Sequence, residues 1–187
     1  YGINATDAAQ VTEATFRARG EIHQIVRGLR KLGGPWDGVQ VAATPEQIGI
    51  RDGRRIRGRY IMTSEDLVIG AVQTDAVVRA TFPVDIHALS AEDNKKAAYH
   101  NAGVKTKPYD IPLRALIARD VDGLMMAGRC ISGDFIAHAS YRVTGNAVAM
   151  GEAAGATAAV AAKNKTAPHD VPWSEVLPVI ERCRTKA

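Results

Sequence analysis

Residues 124–162 constrain this chain more than any other stretch. They read as a short apolar strand over residues 123–131, a glycine-containing turn, an irregular loop, and a helix over residues 145–163 built largely of small residues. The strand pattern is continuous rather than alternating, as in a strand buried on both faces. In the helix, Gly151 and Gly155 stand four apart, and with Ala147, Ala158 and Ala159 they leave one face almost without side-chain bulk. Such a face admits a sheet or a flat cofactor at close range, and it equally suits a tightly packed core helix. At the helix entry, Thr144-Gly145-Asn146-Ala147, the first backbone N–H groups have no partner within the helix and carry partial positive charge. An anion or electron-rich carbonyl docked there gains about 0.3–1 kcal/mol when exposed, and more when buried.

The remaining elements supply what such a unit packs against. Residues 5–32 pattern as a long amphipathic helix, with Val11, Ile22, Ile25, Val26, Leu29 and Leu32 at three- and four-residue steps. Asn4 or Thr6 is placed to cap its start, Gly20 interrupts its interior, and Gly33-Gly34-Pro35 ends it. Residues 38–43 and 47–62 predict strands, the second broken at the turn dipeptide Asp52-Gly53. Beyond that turn Ile56, Gly58, Tyr60 and Met62 alternate with Arg55, Arg57, Arg59 and Ile61, an apolar face against one carrying three arginines. Thr63 to Asp66 carries the capping chemistry of a short helix or turn. Residues 77–87 predict a strand weakened by Pro83, and residues 90–108 a polar surface loop. Residues 108–112 are extended, because the residue before each proline is pushed out of the helical region. Trp173–Arg184 closes the chain as an amphipathic helix. The expected fold class is α+β, a mixed sheet with flanking helices. Residues 1–108 would form one part, a long helix plus strands, and residues 109–187 a strand–helix unit.

Composition narrows the function classes. With 187 residues, 46% hydrophobic and 24% charged, disorder and collagen are excluded and a core of ordinary size is within reach. Cys130 and Cys183 are too few for a disulfide framework and lack metal-site spacing, so no metal centre is expected. Residues 51–59 hold five arginines against one aspartate, which accounts for the whole net charge of +4. These arginines suit pairing with acids or an anionic substrate; a nucleic-acid partner would need more basic surface and interleaved aromatics, so none is expected. The small-residue run at 153–162 is far short of the roughly 20 apolar residues of a membrane span. No secretory signal pattern is present, which makes a cytoplasmic location and no membrane contact the expectation.

Residues 127–159, AGRCISGDFIAHASYRVTGNAVAMGEAAGATAA, resemble the C-terminal flavin-contacting segment of FAD-dependent oxidoreductases of the glutathione-reductase-like superfamily. Within it, residues 142–148 are similar to the R-L-G-G-N-S-L stretch of succinate dehydrogenase and fumarate reductase flavoproteins. A bacterial FAD-dependent oxidoreductase family resembles the chain over four blocks in order. Its I-G-I-R-x-x-R-R-I-x-G-x-Y stands here at 48–60, D-I-H at 85–87, Y-x-I-P-Y-R-S-L at 109–116, and A-G-R-C-I-S at 127–132. Leu113 and Ala115 depart from the third block, while Arg114 is kept. The family's G-x-G-x-x-G lies N-terminal to these blocks and has no counterpart here. Together with a first residue of Tyr1, this leads us to expect the C-terminal part of a flavoprotein that lacks its N-terminal dinucleotide-binding unit. Such a chain would be a truncated form, a proteolytic remnant or one subunit of a split enzyme, incomplete and inactive alone, with weak or no hold on FAD.

The resemblance also implies roles. Gly128 and Arg129 would lie near the ribityl and pyrophosphate region, with Arg129 a structural ion-pair residue as the alternative. Asp134 would accept a ribityl hydroxyl or serve as an ordinary turn residue. Gly145 opens the flavin helix, and the amides of Asn146, Ala147 and Val148 would face the flavin C2 carbonyl, stabilising negative charge on the reduced ring. Arg142 matches an arginine that grips substrate carboxylate. His138 and His87 are candidate general bases, or structural histidines. The expected function is hydride transfer between a small, anionic organic substrate and FAD, with a missing N-terminal segment or partner subunit. The alternative is a non-catalytic assembly or regulatory subunit that uses the long helix as its interface.

Overall fold

A 23-residue helix, α1 (Ala8–Arg30), opens the chain. Its cap is Asp7 rather than Asn4 or Thr6: the Asp7 carboxylate accepts from Ala9 N at 2.9 Å and Gln10 N at 3.2 Å. A carboxylate there satisfies free amides and also meets the positive helix end, which a neutral side chain does less well. Asn4 instead accepts from Thr6 N and Oγ1, turning the chain into the helix. Gly20 leaves the helix unbroken. Gly33 at φ 71° and Gly34 at φ 62° end it in a conformation that favours glycine. The computed structural model describes residues 2–88 and 90–185; Tyr1, singled out above, lies outside them.

The expected strand at residues 38–43 does not form. The chain there is an extended strap whose backbone is held by α1 side chains instead of a partner strand. Arg30 Nε donates to Val39 O at 2.8 Å, Arg19 Nη2 to Pro45 O and Glu46 O at 2.9 Å each, and Thr15 Oγ1 accepts from Ile48 N at 3.2 Å. These anchors run back along the helix in reverse order. Helix and strap make the first of two compact units, Tyr1–Gly53; the second is Arg54–Ala187.

The second unit carries the core. Its elements are α2 (Ser64–Ile69), β1 (Ala76–Ala80), β2 (Ile86–His87), α3 (Ala91–Lys96), β3 (Tyr99–His100), β4 (Tyr109–Pro112), α4 (Phe135–Tyr141), α5 (Thr144–Asn164) and α6 (Trp173–Arg184). The fold is helix-rich with small antiparallel sheets, compatible with α+β. Instead of one mixed sheet there are, among the described residues, two separate pairs, β1 with β4 and β2 with β3. In the first, Val78 faces Ile111 and Ala80 faces Tyr109, which places residue 108 inside the second unit. Tyr109, Ile111, Leu116, Ile131, Tyr141, Met150 and Val176 are fully buried between these strands and α4, α5 and α6. Pro83 has its expected effect, since the chain leaves strand geometry between β1 and β2. The region read as a polar loop holds α3, capped by Ser90, and β3, both exposed, while Val104 beyond them packs against the core. No helix among the described residues is long and apolar enough to cross a membrane.

Two further strand expectations are corrected. Residues 54–62 keep the alternating burial but form only isolated bridges, Gly58 with Ala118 and Met62 with Gly133. A Cβ on Gly58 would lie 2.6 Å from Ser132 Cβ and 2.9 Å from Tyr60 O, so only glycine permits this crossing. Residues 123–131 are not a buried strand. Gly123 turns at φ 75°, Met125 bridges Ile117, and a 3₁₀ turn occupies Gly128–Cys130 with Gly128 at φ 77°. A left-handed glycine in mid-run breaks the pleat, and Leu124, directly after the turn at Gly123, is exposed.

Candidate functional site

The site is assembled around α4. Asp134 caps this helix, with Oδ1 accepting from Ala137 N at 2.7 Å, while Oδ2 accepts from Ser64 N at 2.8 Å. One carboxylate thereby ties the starts of α2 and α4 together. Gly133 just before it must be glycine, because a Cβ would sit 2.6 Å from Tyr141 Cε1. Tyr141 is fully buried and its hydroxyl donates to Ile131 O at 3.0 Å.

Past the end of α4, Arg142 Nη2 donates to Asp85 O at 2.7 Å. Asp85 is also held through its own N–H, which donates to Ala139 O at 3.2 Å. Its carboxylate meets His87 Nε2 at 3.1 Å. The structure therefore brings Arg142 and His87 to one aspartate. His138 is fully buried, with its ring edge-on to Tyr141 at 5.4 Å. His87 is about half exposed, so of the two histidines it is the one that solvent or a ligand reaches. Asp85 was not among the expected site residues. The signal was its spacing, since residues two apart in an extended segment share a face.

Arg142 leads directly into α5. Val143 provides the N-cap position but no side-chain cap. The Ala147 N–H donates to Val143 O at 3.1 Å, closing the first turn. The amides at the open helix end are thus those of Thr144, Gly145 and Asn146, whereas Ala147 and Val148 belong to the helix's own ladder. The Asn146 side chain turns inward to Tyr141 O at 3.4 Å. Gly128 packs on the same end of the helix: its N–H donates to Met150 Sδ at 3.3 Å, and the place of its absent Cβ is 3.5 Å from Ala147 Cβ. Arg129, next in the chain, is exposed. Further along α5, Met150, Ala153, Thr157 and Val160 face the core, while Val148, Gly151, Gly155, Ala158 and Ala159 are exposed. The glycine positions are therefore not part of core packing, and a Cβ at either would meet nothing within 4 Å.

A second polar cluster holds the floor of this unit. Arg114 grips Asp75 with Nε and Nη2 at 3.0 Å each, donates to Gln73 Oε1 at 2.9 Å, and lies 5.3 Å from the Tyr60 ring centre. Tyr60 in turn donates to Asp66 Oδ1 at 2.6 Å, and Asp66 Oδ2 accepts from Thr63 N. The Asp75 hydrogen bond raises the Arg114 pKa further above its ordinary value. Burial, then the bonded Asp66 carboxylate, push the Tyr60 phenol up. Asp66 completes the capping pattern expected at residues 63–66, whereas Gln73 and Asp75 were not foreseen, since nothing local in the sequence marks a partner 41 or 39 residues away. Leu113 and Ala115, which replace Tyr and Ser of the resembled block, are buried in the core. In the arginine stretch, Arg57 stands 3.8 Å from Asp120, which Arg119 also holds at 2.9 Å. Among the described residues no group of His, Cys, Asp and Glu could hold a metal ion.

Comparison with known proteins adds one finding: the family model described as FAD dependent oxidoreductase matches residues 1–180. No curated protein and no solved structure matches the chain.

Proposed function

Because the chain belongs to the FAD dependent oxidoreductase family, we propose that it forms the flavin- and substrate-facing part of an enzyme moving a hydride between an organic substrate and FAD. The observation that carries this reading is the α4–α5 junction, where Arg142 and His87 share Asp85 beside an uncapped helix start. The residues present fit a flavin: Gly128 closes on Ala147 without bulk, and α5 exposes open amides and side-chain-free positions. Gly128, Arg129 and the open amides of Gly145 and Asn146 would hold it, with the dinucleotide half supplied by a segment or subunit carrying G-x-G-x-x-G. Asp134, Ala147 and Val148 would instead shape the site, because the Asp134 carboxylate is committed to Ser64 N and Ala137 N and the other two amides bond within α5. FAD, when bound, supplies the two-electron acceptor. Arg142 receives a substrate carboxylate in its planar fork. His87, oriented by Asp85, takes or returns the substrate proton.

Co-expression with a segment carrying that glycine motif tests this. The expected product is a yellow protein whose flavin is reduced by substrate, with His87→Gln slowing reduction by about 10²–10⁴-fold. A well-folded assembly that never takes up flavin overturns the assignment. A second reading, a non-catalytic assembly subunit, draws on α1 and the turn that follows it, where Phe16, Ile25 and Leu32 are 65%, 62% and 73% exposed. A stable flavin-free complex held through those residues would favour it.

A further inference from the structure

The C-terminal half of α1 presents a basic cleft. His23, Arg27 and Arg30 follow one another at steps of four and three, which places them on one face of the helix. The bond from Arg30 Nε to Val39 O lays the strap alongside that face. His23, Val26, Arg27 and Arg30 from the helix, with Gln40 and Val41 from the strap, line a cleft of about 460 Å³. None of the six is acidic, and among the described residues neither Arg27 nor Arg30 has a carboxylate partner. Two guanidiniums three residues apart on a helix repel each other by about 0.2–0.5 kcal/mol, while the negative helix end, worth about 0.3–1 kcal/mol to each, keeps both charges there. A bound oxyanion turns that mutual repulsion into two attractions. The cleft has what such recognition requires: planar donors of permanent charge, further N–H donors from an imidazole and a carboxamide, and two valines for an apolar body.

We propose that this cleft binds a small polyanion bearing phosphate or carboxylate groups, with Arg27 as its main charge contact and Arg30, His23 and Gln40 as further donors. The site lies wholly within the first unit and does not depend on the flavin reading. Calorimetric titration of the full chain with inorganic pyrophosphate, and separately with citrate, tests it and tells phosphate from carboxylate recognition. The expected result is saturable binding of at least one probe with Kd below about 1 mM. Arg27→Gln weakens it by about tenfold or more, as loss of a charge-assisted hydrogen bond implies. Arg17→Gln, on the same helix outside the cleft, leaves it unchanged, and circular dichroism shows equal helix content in both variants. No saturable binding of either probe overturns the proposal. So does equal weakening by the two variants, since the attraction is then one of general charge.

Discussion

Tyr109 is fully buried and donates to Ser140 Oγ at 2.8 Å, and that hydroxyl passes its own proton on to Phe82 O. Burial pushes the phenol from its ordinary 10.0 up to about 12, with the Ser140 hydrogen bond opposing part of the rise. The sign of the consequence follows. A raised pKa in the fold means that the neutral phenol stabilises it fully below pH 10, and that this contribution is lost as pH rises from 10 through about 12. The amount is about 2–3 kcal/mol, a substantial share of an ordinary domain's stability. In an alkaline titration followed by tyrosinate absorbance and far-ultraviolet circular dichroism, Tyr109 should ionise last, together with loss of structure. Tyr109→Phe should lower stability at neutral pH by about 0.5–1.5 kcal/mol, because Ser140 loses a partner. It should also flatten the alkaline decline; an unchanged decline would place its origin elsewhere.

At the scale of the element, α5 carries two glycines that its own packing does not explain. Each costs the helix about 1 kcal/mol relative to alanine, and each has open space where a Cβ would stand. Gly151→Ala and Gly155→Ala should each raise the unfolding free energy of this chain by about 0.5–1 kcal/mol in thermal melts. If these positions serve close approach of a flavin or sheet, the same substitutions should weaken flavin uptake in the assembled protein. A fall in stability would mean that the face is already packed. The long helices were legible in the sequence because period and end signals agree: Trp173–Arg184 matches its expected span, and α5 exceeds its own by one residue at each end. The six-residue α3 and seven-residue α4 are too short to show a period and read as loop. The strands were less so. At residues 54–62 the alternation reported burial correctly, yet neighbouring loops and a 3₁₀ turn offered no ladder to pair with. At 123–131 the apolar run hid the left-handed Gly128. Arg142 and His87 were singled out from the sequence, but the aspartate joining them shows only when the segment entering β2 meets α4 through Asp85 N and Ala139 O.

The two units differ in what holds them. Arg54–Ala187 has a continuous apolar core running from Met62 through Ile111, Leu116 and Ile131 to Val176 and Ile180. In Tyr1–Gly53, Ala14 and Thr15 are the buried residues among those described, and the strap is fastened by side-chain hydrogen bonds that water competes for. Net gains of about 0.5–1.5 kcal/mol per hydrogen bond do not offset the ordering of an extended strap at about 1–2 kcal/mol per residue. A 23-residue helix containing two glycines adds little by itself, since most helical stability in proteins comes from packing an apolar face. Expressed separately, residues 54–187 should therefore unfold in one cooperative transition. Residues 1–53 should show partial helicity that melts broadly. A sharp transition in the 1–53 peptide, monitored by circular dichroism at several concentrations to exclude self-association, would show that helix and strap hold together more strongly than their burial allows.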